Sequence, residues 1–165
     1  MDFSVEEMKP ADWPKISAIL FEGIETGMAT FLQNIPSLAE WDREHCENCR
    51  LVAKSGDTVL GWAALAPVSS RCVYSGIAEA SVYIGKASRG QGVGSALLTE
   101  LIRCSETEGY WSIQGEIVKE NAASRALCKK CGFREIGIRE RFGKMPDGQW
   151  HDVVLVERRS SIVGC

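Results

Sequence analysis

Apolar residues recur along this chain with a period that switches between two and about 3.6, and the switches mark its elements. Phe3 to Met8 alternates weakly and reads as a first strand. Asp12 is placed to cap the helix that follows, Pro14 fits its first turn, and Ile16, Leu20 and Ile24 supply its apolar stripe. Thr26 to Pro36 reads as a loop, and Ser37 starts a second helix containing Trp41. Leu51 to Lys54 and Thr58 to Ala66 are strands joined across Ser55-Gly56-Asp57, a hairpin signal. After a polar connection from Arg71 to Gly76, the run Ile77 to Gly85 is strongly β-prone. Gly92 to Glu108 is the clearest helix, with Val93, Leu97, Leu101 and Cys104 on one face and Gly109 as its stop. Trp111 to Val118 is a strand, and Asn121 to Cys131 is a helix that Gly132 ends. Phe133 to Phe142 and Trp150 to Glu157 form a closing hairpin around Met145-Pro146-Asp147-Gly148. The order β-α-α-β-β-β-α-β-α-β-β predicts an α/β architecture with one mixed sheet, in a single domain spanning residues 1–165.

The sharpest chemical signal is Arg89-Gly90-Gln91-Gly92-Val93-Gly94, set between a strand and the strongest helix. Clustered glycines let the backbone approach a ligand and turn several N–H groups one way. The positive end of the following helix dipole adds to this, which makes an anion site suited to a phosphate or pyrophosphate. A Walker A loop would end in Gly-Lys-Ser/Thr, but Gly94-Ser95-Ala96 has no lysine. A dinucleotide fingerprint would follow the first strand with different glycine spacing. A glycine-rich loop without any ligand is the bland alternative.

The loop and the segments around it resemble the GCN5-related N-acetyltransferase (GNAT) superfamily. Arg89, Gly92 and Gly94 match its acetyl-CoA loop, and Asn121, Ser124, Gly132 and Phe133 match its later helix. Thr30-Phe31, Arg71-x-x-Tyr74, Glu79-x-Ser81-Val82-Tyr83 and Trp150-His151-Asp152-Val153 are most like the phosphinothricin and methionine sulfone acetyltransferase group. The resemblance implies the GNAT fold: a single mixed, mostly antiparallel sheet flanked by helices and splayed between the fourth and fifth strands. It implies acetyl-CoA as co-substrate, a small amino-acid-like amine as acceptor, and a homodimer.

The same resemblance assigns roles. Arg89 to Ser95, with Gln91 and Val93 among them, would hold the pyrophosphate. Val82, Tyr83 and Ile84 would wall the pantetheine arm, with Asn121 and Ser124 beside it. Arg71 and Tyr74 would hold the acceptor's anionic group, Phe31 would form an apolar wall, and His151 would reach the acceptor site. The superfamily's usual acid, a tyrosine seven residues after the asparagine, is replaced here by Cys128, a thiol that could protonate the leaving thiolate as general acid or simply pack in the helix. A lysine often found two residues before the arginine is replaced by Ser69. Glu79 stands out without the resemblance as well: a carboxylate inside Ile77 to Ile84 must be partnered or carry a raised pKa. That suits either a general base, the role the family gives it, or a structural ion pair.

Composition narrows the classes. At 45% hydrophobic and 25% charged over 165 residues, the chain is an ordinary globular protein. A net charge of −3 argues against nucleic acid, and no apolar run reaches a membrane span's ~20 residues. The acidic start, MDFSVEEMKP, lacks an apolar signal segment, so a cytoplasmic location is expected. Seven cysteines without such a signal are expected as reduced thiols. Two C-x-x-C pairs, Cys46/Cys49 after His45 and Cys128/Cys131, raise a zinc reading. Their separation far exceeds the ~15–20 residues of a compact zinc module, and both read as helical, so no metal is expected. Arg71 argues against a polycationic acceptor such as an aminoglycoside, and Glu79 against a non-catalytic acyl-CoA binding module. A protein N-terminus stays open as acceptor.

Overall fold

The computed structural model describes residues 1–165. Seven strands, β1 (Ser4–Glu7), β2 (Leu51–Ser55), β3 (Thr58–Pro67), β4 (Ile77–Ile84), β5 (Ser112–Val118), β6 (Arg134–Lys144) and β7 (Trp150–Arg159), form one sheet. Its spatial order is β1-β2-β3-β4-β5-β7-β6. The helices are α1 (Trp13–Glu25), α2 (Leu38–Glu44), α3 (Val93–Thr107) and α4 (Ala122–Lys130), in the chain order that the periodicity predicts. No helix is long and apolar enough to cross a membrane.

Every neighbouring pair is antiparallel except β4 and β5. These two run parallel and pair only at Ile77–Ser112, Ala78–Ile113 and Glu79–Gln114. Beyond Glu79 they diverge, while β4 stays registered with β3 as far as Ile84 and β5 with β7 as far as Val118. The sheet therefore carries a wedge with its closed end at Glu79.

Strand alternation sends residues to two cores. Leu51, Ala63, Leu65 and Ala78 pack with Ile113 and Val156 beneath Leu97, Leu98 and Leu101 of α3. On the other face Val52, Trp62 and Ala64 pack with Ile16, Ile19, Leu20 and Trp41. Each fully buried side chain of leucine size contributes about 1.5–3 kcal/mol.

Four details depart from the sequence reading. The buried stripe of α1 is Ile16, Ile19, Leu20 and Gly23, with Ile24 only half-buried. Gly23 is there because a Cβ would lie 2.9 Å from the Tyr83 ring. Asp12 gives α1 no side-chain cap. Its carboxylate instead accepts the Lys9 N–H at 2.8 Å and pairs with Lys54 Nζ at 2.9 Å, which closes the short turn Pro10–Asp12. Cys46 and Cys49 lie in the coil after α2, not on a helix. The cysteines are not all thiols: Cys49 and Cys104 form a disulfide with Cα atoms 5.7 Å apart, a pairing their sequence separation of 55 conceals. No three His, Cys, Asp or Glu side chains converge to hold a metal ion.

Candidate active site

The wedge opens into a cavity with two lobes, of about 360 Å³ and about 450 Å³. Both are lined by Ala29, Val82, Tyr83, Asn121, Ser124 and Leu127, so they form one passage through the sheet. Glu79 and Cys128 line the first lobe, and Arg89, Gly92 and Ser95 the second.

The second lobe is built by the glycine loop. Gly90 and Gly92 hold φ of 74° and 84°, a region that a side chain resists. Gly92 is the N-cap of α3, and Ala96 N–H is the first to bond back, to Gly92 O at 3.1 Å. The amides ahead of Ala96 therefore have no partner inside the helix and carry its positive dipole end. Gly94 has a separate role, because a Cβ there would stand 3.2 Å from Leu127 Cδ2, so it sets the approach of α3 to α4. Arg89 Nε donates to Ile84 O at 3.2 Å. Gln91 bonds Ala87 O and lines neither lobe. Val93 is a core residue, so it offers the loop only its backbone. Val82, Tyr83 and Ile84 wall the lobe, and Tyr83 stacks on Trp62 at 4.8 Å. Asn121 caps α4 by accepting the Ser124 N–H at 3.1 Å and donates to Met28 O at 3.3 Å, which ties the α1–α2 loop over the passage.

The first lobe holds the ionisable groups. Glu79 is half-buried at the closed end of the wedge. Burial, and then the neighbouring Glu116 carboxylate, push its pKa up; the Gln114 hydrogen bond and Arg139 offset this only in part. Glu116 is itself paired with Arg139 at 2.8 Å. Glu79 has no salt bridge, which removes the structural ion pair. Cys128 is half-buried, and burial pushes its thiol up to about 11. Phe31 lines this lobe and packs on the β6–β7 hairpin, where a Cβ on Gly143 would lie 2.5 Å from the ring.

Arg71, Tyr74 and His151, expected at the acceptor, also stand outside both lobes. Arg71 is exposed on the β3–β4 connection, its guanidinium 5.5 Å over the Tyr74 ring. His151 Nδ1 lies 3.4 Å from Glu120 Oε2. The lobe includes residues that periodicity could not single out: Glu116 and His45. His45 is visible in the sequence only as the neighbour of a C-x-x-C pair.

The splayed seam thus has the glycine-rich N-terminus of α3 on one side and a carboxylate without a salt bridge on the other. The model of the Acetyltransferase (GNAT) family matches residues 15–133, and the chain belongs to that family. It is 33% identical to the phosphinothricin N-acetyltransferase of Alcaligenes faecalis, over 94% of this chain and 81% of that protein. It is 27% identical to the L-methionine sulfoximine/L-methionine sulfone acetyltransferase of Pseudomonas paraeruginosa, over 95% and 94%. The solved phosphinothricin acetyltransferase of Sinorhizobium meliloti in complex with acetyl-CoA superposes with a TM-score of 0.88 at 26% identity, covering 99% and 91% of the two chains. The protein is an acetyl-CoA-dependent N-acetyltransferase.

Proposed function

We propose that the enzyme acetylates the primary amine of a small amino-acid-like substrate of the phosphinothricin, methionine sulfone or methionine sulfoximine type. The observation that carries this reading is Glu79, a carboxylate of raised pKa with no salt bridge, standing where the wedge closes. The names of the relatives support the acceptor class.

Acetyl-CoA supplies a thioester whose carbonyl carbon the amine attacks. The amine gives its proton to Glu79, the C–N bond forms, the C–S bond breaks, and the departing thiolate takes a proton from solvent. Burial of Glu79 and the nearby Glu116 raise its basicity, and Arg139 offsets this only in part. Cys128 stays protonated at neutral pH. Full transfer from it to a thiolate of ordinary basicity, pKa ~8.5, is uphill by roughly two to three units. Its role is a hydrogen bond to the leaving sulfur, so Cys128→Ala should slow turnover by less than about tenfold, measured with acetyl-CoA saturating.

Arg89, the amides at the start of α3, Asn121 and Ser124 hold the cofactor's polar parts in this reading. Arg71 and Tyr74 sit at the end of β4 nearest Glu79 and present a cation to the acceptor's anionic group. Ile136, Ile138 and Phe142 on the edge strand β6, with Trp150 on β7, are exposed, and a second copy of the chain covering them makes the homodimer. A fully active monomer by light scattering at assay concentration removes that part of the reading.

A thiol-release screen with acetyl-CoA tests the substrate class, using methionine sulfone, methionine sulfoximine, phosphinothricin and the common amino acids. Turnover on one of the first three is expected. Activity only on a peptide N-terminus would replace this reading.

A further inference from the structure

We infer that His45 is a further acceptor-site residue, whose Nε2 accepts a hydrogen bond from the incoming amine and positions it for Glu79. The inference rests on the small-amine reading above.

His45 lines the same lobe as Glu79, yet it comes from a different part of the fold, the coil just after α2. Its ring is held against two indoles. It stacks on Trp41 with centroids 4.1 Å apart and planes 18° from parallel, and it meets Trp62 edge-on at 6.4 Å. Trp62 in turn stacks on Tyr83, so an aromatic column runs from His45 to the cavity wall. The backbone around it is held as firmly. Arg50 Nε donates to Cys46 O at 2.7 Å, and Nη2 donates to Asp42 O and His45 O at 3.2 Å and 3.3 Å. Cys46 N–H donates to Leu65 O at 2.8 Å, one residue before Ala66, which pairs with Glu79.

That register brings the His45 segment to the Glu79 end of the cavity. The clamp also fixes the chemistry of the ring. Nδ1 lies 2.7 Å from Trp41 O, and a carbonyl oxygen can only accept, so the proton sits on Nδ1. Nε2 is then left with its lone pair and no partner in the protein. Burial, aided by Arg50, lowers the imidazole's pKa against the opposing pull of the Trp41 carbonyl, Glu44 and Asp42, so the ring is neutral near pH 7. A neutral Nε2 of this tautomer accepts hydrogen bonds and cannot donate one. It therefore suits the ammonium or amine end of an amino-acid-like substrate and not its carboxylate. The proton leaves to Glu79; His45 orients the nitrogen that loses it.

The test compares His45→Phe, which keeps the stacked ring and removes both nitrogens, with His45→Gln, which keeps an acceptor. The probe amine is L-methionine sulfone, with phosphinothricin as the second. His45→Phe should raise KM for the amine by roughly 10–100-fold, the effect of a lost hydrogen bond to a charged group. Affinity for acetyl-CoA and the urea midpoint should stay near the parent's, and His45→Gln should recover part of the loss. Unchanged amine KM in His45→Phe, with the parent active, overturns this inference and leaves the function standing. A fall in acetyl-CoA affinity or fold stability that matches the fall in activity shows a structural histidine and overturns it too. A parent inert toward both amines overturns the substrate reading and this inference with it.

Discussion

Glu79→Gln is expected to lower turnover at pH 7 by roughly 10²–10⁴-fold, the usual loss on removing a general base. Acetyl-CoA affinity should barely move, because Glu79 lines the first lobe and the glycine loop the second. An α-amine is mostly ammonium near neutral pH and cannot attack a thioester until a base takes its proton. The defect should therefore shrink as pH rises and free amine accumulates in solution. The parent's kcat/KM should fall as pH drops through the pKa of Glu79, which burial and Glu116 raise above the usual carboxylate range. That limb should be missing from the variant.

Stability should move the opposite way. A carboxyl whose folded pKa exceeds its unfolded one makes ionisation costly in the folded state. The cost is absent below the unfolded pKa, ~4.3, grows through the window up to the folded pKa, and is fully present above it. At neutral pH Glu79→Gln should thus unfold at the same or higher urea concentration than the parent. Turnover within about threefold of the parent at pH 7, well short of the general-base range, would show that Glu79 is not the base.

Gly92→Val should weaken acetyl-CoA by roughly 5–150-fold in calorimetry, the equivalent of the ~1–3 kcal/mol that a side chain pays in left-handed backbone. At a φ of 84° a β-branched residue drives the N-cap of α3 out of the conformation that opens the helix beside the second lobe. Nothing lies within 4 Å of the Cβ position, so the effect is conformational and not a clash. Gly56→Val is the control. Gly56 sits at φ 57° in the β2–β3 hairpin, also with open space around it. Both variants should lose fold stability, but only Gly92→Val should lose acetyl-CoA affinity. Equal affinities in the two would mean that the loop does not hold the cofactor.

Both residues were visible in the sequence for local reasons. A charge inside a run of eight strand residues has to be explained, and glycines that open an amphipathic helix mark a backbone that must face something. The element order was equally legible, because each element carries its own period. What stayed hidden depends on distance along the chain. The Cys49–Cys104 bond spans 55 residues, and neither cysteine has a local feature that names the other. Gly23 reads as a poor helix residue until Tyr83 is found against it. His45 becomes part of the site only when α2 folds over β3 and Cys46 bonds Leu65. Arg71 and His151, which the family resemblance sends to the acceptor, stand outside the cavity lining. Periodicity could not have shown this, because both lie on exposed connections or strand ends where side-chain direction is a tertiary matter.

The seam between β4 and β5 gives the molecule a mechanical character. With only three registered pairs joining them, strands β1–β4 and β5–β7 are two plates touching at one edge. Helix α3 is the splint across the crack: Leu97, Leu98 and Leu101 lie in one core with Leu51, Leu65 and Ala78 of the first plate and Ile113, Ile117 and Val156 of the second. The far end of that splint is riveted to the first plate's approach segment by Cys49–Cys104, and its near end opens at the glycine loop, the cofactor's place in the proposed function. A ligand gripping the near end while lying in the crack is a second splint at the one line where the sheet lacks its own.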